Sequence, residues 1–177
     1  MRWQEPESGV HGLTGLVRIV GVLAGAIVVW LVVAGTVPSQ VRLPVEAVVV
    51  GEHVSQPFGC TTLQLEPFDP FCPGLHIHTG IDLAAPAGTE VHSATAGTAR
   101  LGVDPKGAGN YVVIVFDAHT RIFYCHLSQF RVRSGESISP DQVIGLVGAT
   151  GLATGPHVHF EVQVDGTSVD PVAWLGS

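Results

Sequence analysis

The chain has 177 residues, enough for one globular domain but not comfortably two. Its 15 acidic side chains against 8 basic ones leave a formal net charge of −7 at pH 7. That balance excludes the basic footprint of a nucleic-acid binder and a basic stripe for anionic lipid.

Residues 1–18 form a short polar head. From Ile19 to Val37 no charged residue occurs. As a helix this run would be about 28 Å long at roughly 1.5 Å per residue, close to the bilayer core of about 30 Å. A secretory signal peptide has a shorter apolar core, about 7–15 residues. A transmembrane anchor over residues 19–37 is therefore expected, with a cleaved signal ending near Ala34-Gly35 as the alternative. A helix buried in a soluble core fits less well, because the run is apolar on every face. Arg2 and Arg18 precede the run and Arg42 follows it. This excess favours an N-terminus inside the cell and the remainder outside.

Residues 38–54 read as a tether with one short β-like run, Ala47 to Val50. From about Ser55 to the end, short β runs alternate with Gly- and Pro-rich turns roughly every ten residues. This is the pattern of an all-β sandwich or barrel with antiparallel strands. The clearest strands are Tyr111–Phe116, Ile122–Leu127, Val143–Val147 and His157–Val164. Asp165-Gly166 is a hairpin signal, and Pro171–Leu175 carries a single helical turn.

Cys60 and Cys72 flank a loop containing Pro67 and Pro70. A disulfide there would suit an exported domain and stabilise it by about 3 kcal/mol on the chain-entropy account. Two unpaired buried thiols are the alternative. Cys125 reads as a small buried hydrophobe, although its neighbour His126 keeps a zinc or redox role open.

Nine histidines accompany a single lysine, Lys106. Two places carry spacing that a metal can use. In HTGID, an extended chain would hold His78 and Asp82 about 13 Å apart, so sharing an ion requires a bend, which Gly80 can supply. In GPHVHFEV, strand alternation places His157, His159, Glu161 and Gln163 on one face and Val158, Phe160, Val162 and Val164 on the other. Gly148, Gly151 and Gly155, just before, would let a substrate backbone come close. In RIFYCHLS, alternation puts Tyr124, His126 and Ser128 on one face, and Phe123, Cys125 and Leu127 on the other. Each motif alone has a plain reading: a capped turn, a half-exposed polar strand face, a satisfied structural histidine. Together, His78, Asp82 and one histidine of the HVH pair make a two-His, one-carboxylate set suited to catalytic zinc. Zinc lowers the pKa of a bound water to roughly 7. No HExxH is present, so the leftover histidines, the other member of the HVH pair and His126, are the groups to orient a water, take its proton and stabilise the oxyanion. These parts describe amide hydrolysis.

The segments QPFG, HTGIDLAAPAGTEVHSATAGTA, GNYVVIVF, FYCHLS, SPDQVIGLVGATG and TGPHVHFEV followed by VDP stand in order from about Ser55 to Leu175. In this the chain resembles the LytM/lysostaphin-type zinc endopeptidases that cleave peptidoglycan. The resemblance implies a small antiparallel β core with an open groove. It implies zinc ligands at His78, Asp82 and His159, a catalytic pair at His126 and His157, and cell-wall cross-link peptides as substrate. Two departures stand out. CTTLQLEPFDPFC occupies a loop that varies in the family near the groove, and Cys125 replaces a residue that is often Ala. His11, His53, His92 and His119 read as peripheral, while His76 forms a second HxH with His78.

Two other classes compete. One is a wall-binding or hydrolase-activating module of the same fold without activity. The other is a lipoyl- or biotinyl-like carrier, which ATAGTARLG and VIGLVGATG resemble. A carrier needs a modifiable lysine at a hairpin tip, and Lys106 lacks the expected neighbours.

Overall fold

The structure, a computed structural model, describes residues 41–177. The expected membrane span and the head before it lie outside the described residues. Among the described residues no helix is long and apolar enough to cross a membrane.

Among the described residues thirteen short strands follow in order: β1 (His53–Gln56), β2 (Gly59–Thr61), β3 (His76–His78), β4 (Ile81–Ala84), β5 (Glu90–His92), β6 (Gly97–Asp104) and β7 (Gly109–Val115). Then come β8 (Thr120–Leu127), β9 (Gln129–Phe130), β10 (Ser137–Ile138), β11 (Val143–Leu146), β12 (His157–Val164), β13 (Thr167–Val169) and a terminal helix, α1 (Pro171–Leu175). The main sheet runs β1-β4-β12-β8-β7-β6-β10, with β13 also paired to β12, and every pairing in it is antiparallel. A second sheet runs β5-β11-β9, and β2 pairs with β3. The turn between β12 and β13 holds Asp165 and Gly166 at φ 50° and 76°, the two positive values that a tight two-residue hairpin demands.

One buried cluster joins the inner face of the main sheet (Leu83, Val112, Ile114, Ile122, Phe160) to Val91 and Ile144 of the second sheet. On β12 the expected alternation holds: Val158, Phe160 and Val162 are fully buried in that cluster.

Two expectations are corrected. Ala47 to Val50 is not a strand; Val45–Ala47 is a 3-10 turn that continues into turn residues. Val45, Val48 and Val49 all enter the core. Their i, i+3, i+4 spacing shares one face only in a helical turn, whereas a strand would expose one of two consecutive valines. Residues 42–49 thus pack with the folded unit rather than hanging as a tether. Arg42 bridges to Thr95, stacks 4.0 Å from the Trp174 ring centroid and donates to the Trp174 carbonyl.

The second correction concerns β8. Asn110 pairs with Leu127 but Val112 pairs with Tyr124, so an extra residue bulges out of β8 opposite Tyr111. His126 adopts φ 64° there. The alternation therefore breaks after Tyr124. Tyr124 and Leu127 enter the same core cluster, while Phe123 and Cys125 join a smaller cluster on the other face. Bulges of this kind re-aim a side chain.

Candidate metal centre

Three strands meet side by side to build the site. Gln56 of β1, Asp82 of β4 and His159 of β12 are register partners in a row across the main sheet. His78 arrives from the end of β3, which belongs to a different pair of strands. The chain turns at Thr79 and Gly80 between β3 and β4. A Cβ on Gly80 would lie 2.5 Å from the Phe160 carbonyl oxygen and 2.9 Å from the His159 ring. Gly80 therefore serves the close approach of this corner to β12, beyond the bend expected of it.

The result is a triangle. His78 Nε2 lies 3.0 Å from His159 Nδ1 and 3.2 Å from Asp82 Oδ1, and His159 Nδ1 lies 3.1 Å from Asp82 Oδ1. His78 is fully buried and His159 is 8% exposed. The outer nitrogens decide the tautomers. His78 Nδ1 donates to the Pro57 carbonyl at 2.9 Å, and a carbonyl can only accept, so Nδ1 carries the proton and Nε2 points its lone pair inward. His159 Nε2 donates to Glu161 Oε2 at 3.3 Å, which turns Nδ1 inward. Two imidazole lone pairs and a carboxylate oxygen facing one another repel unless a cation sits among them. Tetrahedral zinc with ligands at about 2.0–2.2 Å wants donor separations of roughly 3.3 Å, and hard–borderline N and O donors suit it. The residues fit the ion.

The electrostatics match. Burial alone would lower the His159 pKa, but hydrogen bonds to Asp82 and Glu161, and their charges, push it up to about 9. Burial would raise the Asp82 carboxyl, yet hydrogen bonds from His159 and His78 and their charges hold it well below the usual carboxylate range. Without a metal, a proton on His159 takes the cation's place.

His126 and His157 stand beside this triangle. Their ring centroids are 4.7 Å apart, and His157 Nε2 is 3.7 Å from Asp82 Oδ1. His126 Nδ1 donates to the Thr150 carbonyl at 2.8 Å, and His157 Nδ1 donates to the Gly155 carbonyl at 2.8 Å. Both rings therefore keep Nε2 for a partner in the groove they line. Burial pushes the His126 pKa down to about 4, although its bond to Thr150 opposes the shift. Thr150 is itself fixed: its hydroxyl donates to the Leu127 carbonyl and accepts from the Asn110 amide, both at 2.9 Å. Gly148 and Gly151 pack against backbone of β8 and of the turn before β7, which lets Thr150 reach His126. Of the three loop glycines, only Gly155 faces open space, so close packing within the protein, not substrate approach, explains the other two.

All five predicted site residues thus converge. His76 does not join them; its Nδ1 donates to the Glu66 carbonyl. His92 and His119 bond to Asp141 and Asp165, away from the site. Cys60 and Cys72 form a disulfide, and Cys125 is a buried free thiol. Four contributors were missed as positioning groups. Glu161 was visible only as a member of the His159 strand face. Pro57, Thr150 and Gly155 gave no signal for this role, because each acts on a histidine through its backbone carbonyl.

The family model for peptidase family M23 matches residues 76–171. Over 93 residues, 52% of this chain, the sequence is 42% identical to the peptidoglycan DD-endopeptidase ShyA of Vibrio cholerae. The chain spans roughly a quarter of the length of the curated relatives it matches, 22% in the case of ShyA. A zinc-containing peptidase from Vibrio cholerae superposes with a TM-score of 0.61 at 32% identity, over 75% of this chain and 39% of that one. The catalytic domain of the antimicrobial peptidase lysostaphin from Staphylococcus simulans superposes at 0.59 and 30% identity, over 71% of this chain and 93% of that one.

Proposed function

The chain belongs to peptidase family M23, and on that premise we propose that it is a zinc-dependent endopeptidase cleaving peptide cross-links of bacterial peptidoglycan at the outer face of a membrane. The observation that carries this reading is the inward-facing triangle of His78 Nε2, Asp82 Oδ1 and His159 Nδ1 beside the His126–His157 pair. The name of ShyA supports the substrate class, and that of the lysostaphin domain supports a peptidase.

His78, Asp82 and His159 would hold the ion. When bound, zinc supplies Lewis acidity: it polarises a carbonyl and lowers the pKa of a coordinated water to roughly 7. The protein's own groups do the rest. Glu161 and the Pro57 carbonyl hold the two imidazoles in the tautomers that leave the inner nitrogens unprotonated. His126 and His157, each held by a carbonyl at Nδ1, present Nε2 to orient the attacking water, receive its proton and return it to the leaving nitrogen. In its protonated form a ring of this pair also donates to the developing oxyanion. The groove that these rings line is partly open, so an extended peptide can enter. The Cys60–Cys72 bridge supports an extracytoplasmic location, and the apolar run over residues 19–37 would serve as the anchor.

Mass spectrometry of fragments released from purified peptidoglycan tests the proposal. Zinc-dependent release of new amino termini within the cross-link is expected from the intact chain. Wall binding without fragments, in zinc-loaded protein, would point instead to a non-hydrolytic module.

A further inference from the structure

The loop closed by Cys60 and Cys72 forms one wall of the groove, through Leu63, Leu65 and Glu66. Leu152, from the loop before β12, also lines it. Among the described residues two carboxylates face this groove, Asp82 and Glu66, and no lysine or arginine lines it. Asp82 is engaged by the imidazoles. Glu66 is not, yet it is held in place at three points. Its amide donates to the Leu63 carbonyl at 3.1 Å, and its carbonyl accepts from His76 Nδ1 at 2.8 Å. Its Oε1 accepts from Gln56 Nε2 at 3.3 Å. Gln56 is the register partner of Asp82, so Glu66 is one side chain removed from the metal triangle.

We infer that Glu66 is an anionic subsite that takes a primary ammonium group of the substrate peptide; this rests on the peptidase reading above. A neutral amide donor leaves the carboxylate's charge uncompensated. Its natural complement is a cation, and an ammonium offers three donors to one open oxygen. A guanidinium would want both oxygens, and Gln56 occupies one. Leu63, Leu65 and Leu152 suit the aliphatic stem that carries such a group. The disulfide and the His76 bond fix the loop backbone at Glu66, and Gln56 fixes its carboxylate, before substrate arrives, which is the condition for selectivity at low entropic cost. This also accounts for His76, which the metal centre does not use.

The ammonium can come from a diamino side chain or from a free amino terminus, and selective acetylation separates them. The zinc-loaded full-length chain is given three forms of one cross-link peptide: unmodified, acetylated on the side-chain amine, and acetylated on the α-amine. Kd is measured by competition and kcat/KM by product release. Blocking the recognised amine is expected to weaken Kd and kcat/KM about 10-fold or more, as for loss of a charge-assisted hydrogen bond. Glu66→Gln should bring the ratio between the peptides close to 1, and Glu66→Asp should keep part of it. Each ratio is taken on one protein sample, so a loss of folded material cancels. If neither acetylation changes Kd or kcat/KM in the native chain, or if Glu66→Gln retains the full preference, the subsite is wrong. A preference in Kd that Glu66→Gln abolishes, with none of the peptides cleaved, would uphold the subsite and overturn the hydrolytic reading.

Discussion

Glu161 lies fully buried two residues beyond His159 on β12, and its Oε2 accepts from His159 Nε2 at 3.3 Å. It also accepts from Thr79, Gln163 and Ser168 at 2.7–3.0 Å, so the carboxylate cannot turn away. Hydrogen bonds and charge from His159 keep its pKa low despite burial. A buried anion in this position selects the ring nitrogen that faces the ion and raises the imidazole's basicity. Glu161→Gln, which preserves shape, should weaken zinc binding about 10-fold, measured against a chelator of known affinity. Unchanged affinity would remove Glu161 from the metal site.

The ligand and proton-transfer groups separate experimentally. His159→Ala should lose most of its zinc. His126→Ala and His157→Ala should stay zinc-loaded while turnover falls about 100-fold or more. Metal content and fragment release are measured on the same samples. Zinc lost from His157→Ala and kept by His159→Ala would mean the two members of the HVH pair have exchanged roles.

Zinc uptake should release a proton near pH 7.5. The His159 pKa in the metal-free site is pushed up to about 9, so its proton must leave when the ion enters. Affinity should therefore weaken as pH falls below about 9, by up to about tenfold per unit. In the metal-free protein the sign is opposite in sense. A pKa raised from 6.5 stabilises the fold fully below 6.5, and that contribution is lost as pH rises through about 9. Calorimetric titration in buffers of different ionisation heat counts the protons. A count of zero would contradict the inward-facing Nδ1 proton.

Gly80→Ala should disable the site without unfolding the sheet. The added Cβ would meet the Phe160 carbonyl at 2.5 Å and the His159 ring at 2.9 Å. Backbone cannot yield cheaply, so the β3–β4 corner must move away from β12 and the triangle must open. Zinc affinity should fall by about tenfold or more, comparable with the loss of an outer-shell partner, while the circular dichroism spectrum stays that of the parent. Parent-level zinc binding would show that the corner tolerates the methyl group.

Some of this protein is written in local pattern. The His157–Val164 strand, its core face of Val158, Phe160 and Val162, and the Asp165-Gly166 hairpin follow from a period of two and from turn chemistry. The helical spacing of Val45, Val48 and Val49 was equally present, though too short to outweigh a β-branched run. The identities of the five site residues rest on ordered motifs. Their meeting does not. His78 and Asp82 would stand about 13 Å apart in extended chain, and come to 3.2 Å only because β3 and β4 pair with different partners across a glycine corner. His126 faces the groove because a bulge opposite Tyr111 overrides the alternation of its strand. Pro57, Thr150 and Gly155 act through carbonyl oxygens, which every residue carries and no side-chain pattern reveals. Local periodicity settles which face a residue occupies. Which faces meet is decided by pairings between residues tens of positions apart, and those exist only in the folded sheet.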